Sequence, residues 1–169
     1  TWGGGSQYTT GVTTVGTPGS AGAYTEITIP VGAPTLYYYC TNHSGMGGTI
    51  YTIDTVYTVT VASGTNPYGT GNKFYLNGSV SPTISLAEGG TFRFDQSDSS
   101  NSTHPLRFST TPNGTHAGGG ATEYTTGVTT AGTPGSSGAY TEITVASGAP
   151  TLYYYCTNHS GMGGQADTP

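Results

Sequence analysis

The stretch Tyr-Tyr-Tyr-Cys-Thr-Asn-His-Ser-Gly-Met-Gly-Gly occupies positions 37–48 and returns unchanged at 153–164. Its two copies hold both cysteines and both methionines of the chain and two of the four histidines. In the second copy Cys156, His159 and Met162 follow one another at intervals of three, so one loop can curl a thiolate, an imidazole and a thioether around a point. A second imidazole is at hand in His-Pro-Leu-Arg-Phe, 104–108, where strand alternation puts His104 on the side of Leu106 and Phe108. Two imidazole nitrogens and a thiolate, with a distant axial thioether, form a donor set that suits copper and disfavours hard cations. The first copy offers Cys40, His43 and Met46 at the same spacing, but residues 1–48 contain no counterpart of His104.

Other chemistries find less to work with. No Ser/His/Asp triad, paired-carboxylate cleft or phosphate loop can be assembled, and a copper oxidase would need further copper centres for which histidines are missing, so no enzyme is expected. Asp95 and Asp98 have too few acidic neighbours for a calcium loop and read as turn caps. His116, in Thr-His-Ala-Gly-Gly-Gly, reads as a solvated loop histidine. Trp2, beside three glycines, reads as a packing anchor at a junction. Cys40 and Cys156 occupy equivalent places in two copies and should face separate interiors, which argues against a disulfide between them.

The elements that must position these groups follow from composition and periodicity. Only 7% of the 169 residues are charged, and Lys73, Arg93 and Arg107 are the only fixed cations in a chain of net charge −5. Phosphate neutralisation needs clustered Lys and Arg, so nucleic acid is excluded as a partner. No apolar run approaches the roughly 20 residues that span a bilayer, and no membrane insertion is expected. Abundant Thr, Gly, Ser and Tyr favour strands and tight turns over helices.

An all-β fold is expected. Alternation marks strands at Tyr57–Val61, Lys73–Leu76, Val80–Leu86, Thr91–Phe94, His104–Phe108, Ala139–Val145 and Thr151–Cys156. Asn77-Gly78 supplies a hairpin turn. Residues 110–138, rich in Gly, Pro and Thr, read as an ordered excursion over the surface. Short strands at this spacing imply a two-sheet sandwich.

A shift of 116 positions lays Tyr8–Gly48 on Tyr124–Gly164, and only five of these 41 positions differ. Similarity this close implies a tandem array with a period of about one small domain. Residues 49–164 read as one complete unit and 1–48 as the C-terminal half of another, with 165–169 a linker or tail. The half needs strands from a preceding unit or a neighbouring subunit, because bare strand edges invite aggregation. Self-assembly into a homopolymer is the expected partnership.

Val-Ser-Pro-Thr-Ile-Ser-Leu-Ala-Glu-Gly-Gly-Thr-Phe-Arg-Phe, from Val80, running on through a polar loop to His104, resembles the N-terminal half of the cupredoxin superfamily. Cys-Thr-Asn-His-Ser-Gly-Met is similar to the short ligand loop of its amicyanin-like members. The resemblance covers roughly 49–164 and implies a Greek-key β-sandwich with His104, Cys156, His159 and Met162 as ligands of one copper, and Cys40, His43 and Met46 as three ligands of another. Tandem domains ending in this loop also resemble those of large Thr/Gly-rich structural proteins of marine phages and bacteria. That likeness implies an extracellular, cell-surface or virion fibre; the four ligands motivate the alternative, a soluble blue-copper electron carrier.

Overall fold

Strand pairing, not helix, organises the chain. The computed structural model describes residues 5–30, 33–50 and 52–169; Trp2 lies outside them. Among the described residues the only helical pieces are two short 3-10 turns, Ser99–Asn101 and Gly114–Ala117, and no helix is long and apolar enough to cross a membrane. The chain is all-β, and it divides into two compact units, Thr1–Asp54 and Thr55–Pro169.

The first unit consists of two separate hairpins. Strands β1 (Val12–Val15) and β2 (Tyr24–Ile27) pair antiparallel, as do β3 (Leu36–Tyr39) and β4 (Gly47–Ile50). Among the described residues neither hairpin joins a larger sheet.

The second unit holds eleven strands: β5 (Thr55–Asn66), β6 (Gly69–Leu76), β7 (Ser79–Val80), β8 (Ile84–Ser85), β9 (Thr91–Asp95), β10 (Leu106–Ser109), β11 (Glu123–Tyr124), β12 (Val128–Ala131), β13 (Tyr140–Thr144), β14 (Leu152–Cys156) and β15 (Gly164–Asp167). They form a six-stranded sheet in the order β12-β13-β9-β5-β6-β7 and a five-stranded sheet in the order β11-β10-β14-β15-β8. Alternate residues of both sheets meet in one core. Phe94 of the first sheet touches Phe108 of the second edge-on, with ring centroids 5.3 Å apart, and stacks on Tyr57. Val59, Phe74, Ile143, Leu106, Leu152 and Tyr154 complete the interior. The arrangement is sandwich-like.

Several expected elements shift, each for a local reason. Val80–Leu86 is not one strand. Ser81 takes a φ of 39°, which breaks the run, so β7 stays in the six-stranded sheet while β8 crosses to the five-stranded one. Ile84 and Leu86 are buried as expected, whereas Val80 is exposed. The Asn77-Gly78 turn has positive φ at both residues (49° and 81°), the requirement of a tight two-residue hairpin loop, and joins β6 to β7. The β5–β6 hairpin is longer than alternation implied, running out to Asn66 and Gly69.

The unit boundaries shift too. Residues 49 and 50 pair with β3, so the break falls after Asp54, not at 48. Residues 165–167, read as tail, belong to β15, which lies antiparallel to β14 and parallel to β8. Gly164–Asp167 carries little apolar signal, and its strand is imposed by two neighbours. The same local design recurs beyond the similar sequence: Thr52 Oγ1 donates to the Ala33 carbonyl, and 116 positions later Thr168 Oγ1 donates to that of Ala149.

Candidate metal centre

Strand β14 ends at Cys156, whose Cα pairs with that of Leu106 on β10. His104 lies two residues before Leu106, so the register brings it to the thiol across the strand pair. Its backbone is held in place on several sides. The His104 N–H donates to the Asn101 carbonyl, and the buried Gln96 amide donates to the His104 carbonyl while accepting from the Leu106 N–H. Thr103, immediately before the histidine, has a φ of 66°, a conformation that a β-branched residue adopts only under constraint.

His104, Cys156 and His159 present three ligand atoms that all lie within 4.8 Å of one another. Cys156 Sγ is 3.8 Å from His104 Nδ1 and 3.7 Å from His159 Nδ1. A sulfur and a nitrogen bound to one small metal ion at ordinary bond lengths are separated by about 3.5–3.8 Å. The residues fit a metal. Cys156 and His104 are buried and His159 is exposed, so the cluster sits at the edge of the core. Met162 is buried in the same apolar cluster as Cys156.

The ligand loop is anchored by groups that the linear spacing did not mark. The Asn66 amide donates to the carbonyls of Gly161 and Gly163, the buried Lys73 Nζ donates to that of Gly161, and Ser81 Oγ donates to that of Met162. The Phe74 N–H also reaches the Met162 carbonyl. These contacts are why the long β5–β6 hairpin matters. It carries Asn66 and Lys73 to the loop.

On the other side, Asn113 accepts from the Gly161 N–H and donates to Ser160 Oγ. His116, read from sequence as solvated, places Nε2 2.9 Å from the Cys156 carbonyl. A carbonyl only accepts, so that nitrogen carries the proton. A Cβ at Gly114 would strike the Tyr155 ring, so this turn packs directly on the face of β14 opposite the core. Asp95 and Asp98 accept from backbone N–H groups two residues on, the geometry of turn caps.

Electrostatics follow burial. Burial first, and the charge of His159 second, hold His104 below its ordinary 6.5. Burial pushes the Cys156 thiol above 9.0, although N–H groups of Asn158 and His159 pull the other way. For the metal-free chain this fixes a pH profile. Below about pH 6.5 the unfolded chain takes up a proton that folded His104 refuses, so stability falls as pH drops through 6.5 and levels off below the folded value. Above about pH 9.0 the unfolded thiol ionises first, and stability falls again as pH rises. Urea midpoints should therefore plateau between these limits, and His104→Gln should flatten the acid side. An acid limb unchanged by that substitution would contradict the account.

In the first unit, Cys40 Sγ lies 3.4 Å from His43 Nδ1, but among the described residues no second imidazole joins them. The N–H of Asn42 and then the His43 side chain hold the Cys40 thiol below its ordinary value. Met46 is 59% exposed where Met162 is 1%. The loop is present, but the setting is not.

No family model matches the chain. No curated protein matches it, and no solved structure does.

Proposed function

We propose that the chain is a structural repeat module of an extracellular or virion-associated filament, built from cupredoxin-like Greek-key sandwiches that each hold one copper ion. The observation that carries this reading is the contrast between near-identical strands. Residues covered by β9 and β10 in the second unit recur on exposed hairpins in the first. Near-identical strands that are covered by β9 and β10 in one unit and not in the other suit an array in which such strands are closed by another repeat. Sparse charge and a 116-residue period support the same reading.

In each complete unit the copper would be held by His104 Nδ1, His159 Nδ1 and Cys156 Sγ, with Met162 alongside. The bound ion would offer one-electron redox chemistry or a cross-link between strands. The protein supplies a buried thiol at the end of β14, a buried imidazole two residues before β10, and a loop fixed by hydrogen bonds to the side chains of Asn66, Lys73, Ser81 and Asn113. The His–Cys–His cluster also favours a second reading, a blue-copper electron carrier.

The two readings separate by shape. Chains of two, three and four 116-residue periods should give small-angle scattering profiles of a rod whose length rises in proportion to period number. Units that tumble independently and exchange electrons rapidly with a small redox protein would overturn the filament in favour of the carrier.

A further inference from the structure

Several exposed groups of the first unit correspond to groups that the second unit covers, although Leu36, like Leu152, is buried. The geometry points to a docking surface in residues 5–50 whose partner is the N-terminal half of another repeat, a segment of the 55–117 type, seated in the registers seen within 55–169. This rests on the repeat reading above and names what closes the open half.

Three kinds of complementarity argue for that occupant. The first is apolar. Tyr154 is 1% exposed, sealed between the sheets, and its hydroxyl donates to the Pro82 carbonyl; its counterpart Tyr38 is 61% exposed. Tyr154 pairs with Phe108, so Tyr38 would pair with the equivalent phenylalanine of the incoming half.

The second is charge. On β13, Glu142 binds Arg93 of β9 at 2.7 Å, and the Arg93 guanidinium lies 4.0 Å over the Tyr140 ring. Their counterparts on β2, Glu26 and Tyr24, are both exposed. An incoming β9-like strand in the same register would bring an arginine to both.

The third is the ligand set. Cys40 and His43 already face each other, and a β10-like strand paired with β3 as β10 pairs with β14 would bring a His104-type imidazole beside them. Within the chain, segment 55–117 is engaged by strands of 118–169, so it is not available to the first unit. A second copy of the first unit would offer another glutamate to Glu26 and, with His43 already beside its own Cys40, no strand imidazole of the His104 type, and so fits on neither count.

The test extends the full chain by a second copy of residues 55–117 ahead of residue 1. Reaction of Cys40 with a thiol reagent should slow by about tenfold or more relative to the unextended chain, because it would then need a local opening. Hydrogen exchange at Tyr37–Tyr39 should slow with it. An unrelated β domain of similar size in the same place should protect neither. Arg93→Glu in the added copy alone should restore part of the exchange, and Phe108→Asp in the added copy should restore nearly all of it.

Unchanged Cys40 reactivity and unchanged exchange in the extended chain would overturn the proposal. So would an unextended chain that sediments as a dimer with these groups already protected. Copper counted in the same samples keeps the two readings apart: protection without bound copper supports this surface and removes the metal, while one bound copper with Cys40 still open removes the surface and leaves the metal.

Discussion

Tyr154→Ala should destabilise the second unit by about 3–5 kcal/mol, the range for emptying a large aromatic site in a packed core. The ring is sealed among Leu106, Phe108 and Leu152, and the hydroxyl bond to Pro82 is lost with it. The same change at Tyr38, identical in its local sequence, should cost less than about 0.5 kcal/mol, as for most surface substitutions. Urea unfolding of the two variants, followed by circular dichroism, measures the difference. Equal costs would mean that the first unit buries its tyrosine as the second does. The comparison is clean because the strands flanking the two tyrosines have the same sequence, so differences in intrinsic strand propensity cancel.

Adding Cu(II) to the reduced chain should produce an intense visible thiolate-to-copper band with one copper per complete unit, and Cys156→Ser should abolish it. The physical basis is the pair of 3.7 and 3.8 Å approaches of imidazole nitrogen to Sγ, which leave room for one ion bonded to all three. Cys40→Ser should leave the band intact, because Cys40 and His43 lack the strand imidazole among the described residues. A colourless protein in which Cys156 titrates like a simple thiol would remove the assignment. A zinc ion bound by the same residues would preserve the ligands and remove the redox role.

Much of this was legible in the sequence because alternation reports burial directly. His104, Leu106 and Phe108 are all buried, as their period of two requires, and so are Leu152, Tyr154 and Cys156. His104, Cys156 and His159 could be brought together from the sequence because they sit at strand ends and in one short loop. Its supports could not. Asn66 and Lys73 lie on a Gly- and Thr-rich hairpin whose polarity reads as exposed, yet Lys73 is buried by reaching the Gly161 carbonyl. Asn113 and His116 act through a turn that folds back from a long excursion, a contact no local pattern encodes. Residues 165–167 looked like a tail since only tertiary pairing makes them a strand. Tyr155 should point away from the core by alternation, but the turn at Gly114 covers it.

The span of the loop anchors also sets an order of events as the chain folds. Asn66 and Gly163 are 97 positions apart and His104 and Cys156 are 52, so nearly the whole unit must emerge before the His–Cys–His cluster can form. Parallel pairing of β8 with β15 adds another distant contact. Folding dominated by such contacts is slow, on the order of milliseconds to seconds, since the entropy of closing long loops is lost before contact energy is gained. During synthesis the early strands of the second unit therefore wait with open edges. Residues 8–48, already made and near-identical to 124–164, would be a competitor for them. Five differences in 41 positions leave little to tell the two apart, so the order of emergence from the ribosome, more than sequence, would decide which halves meet.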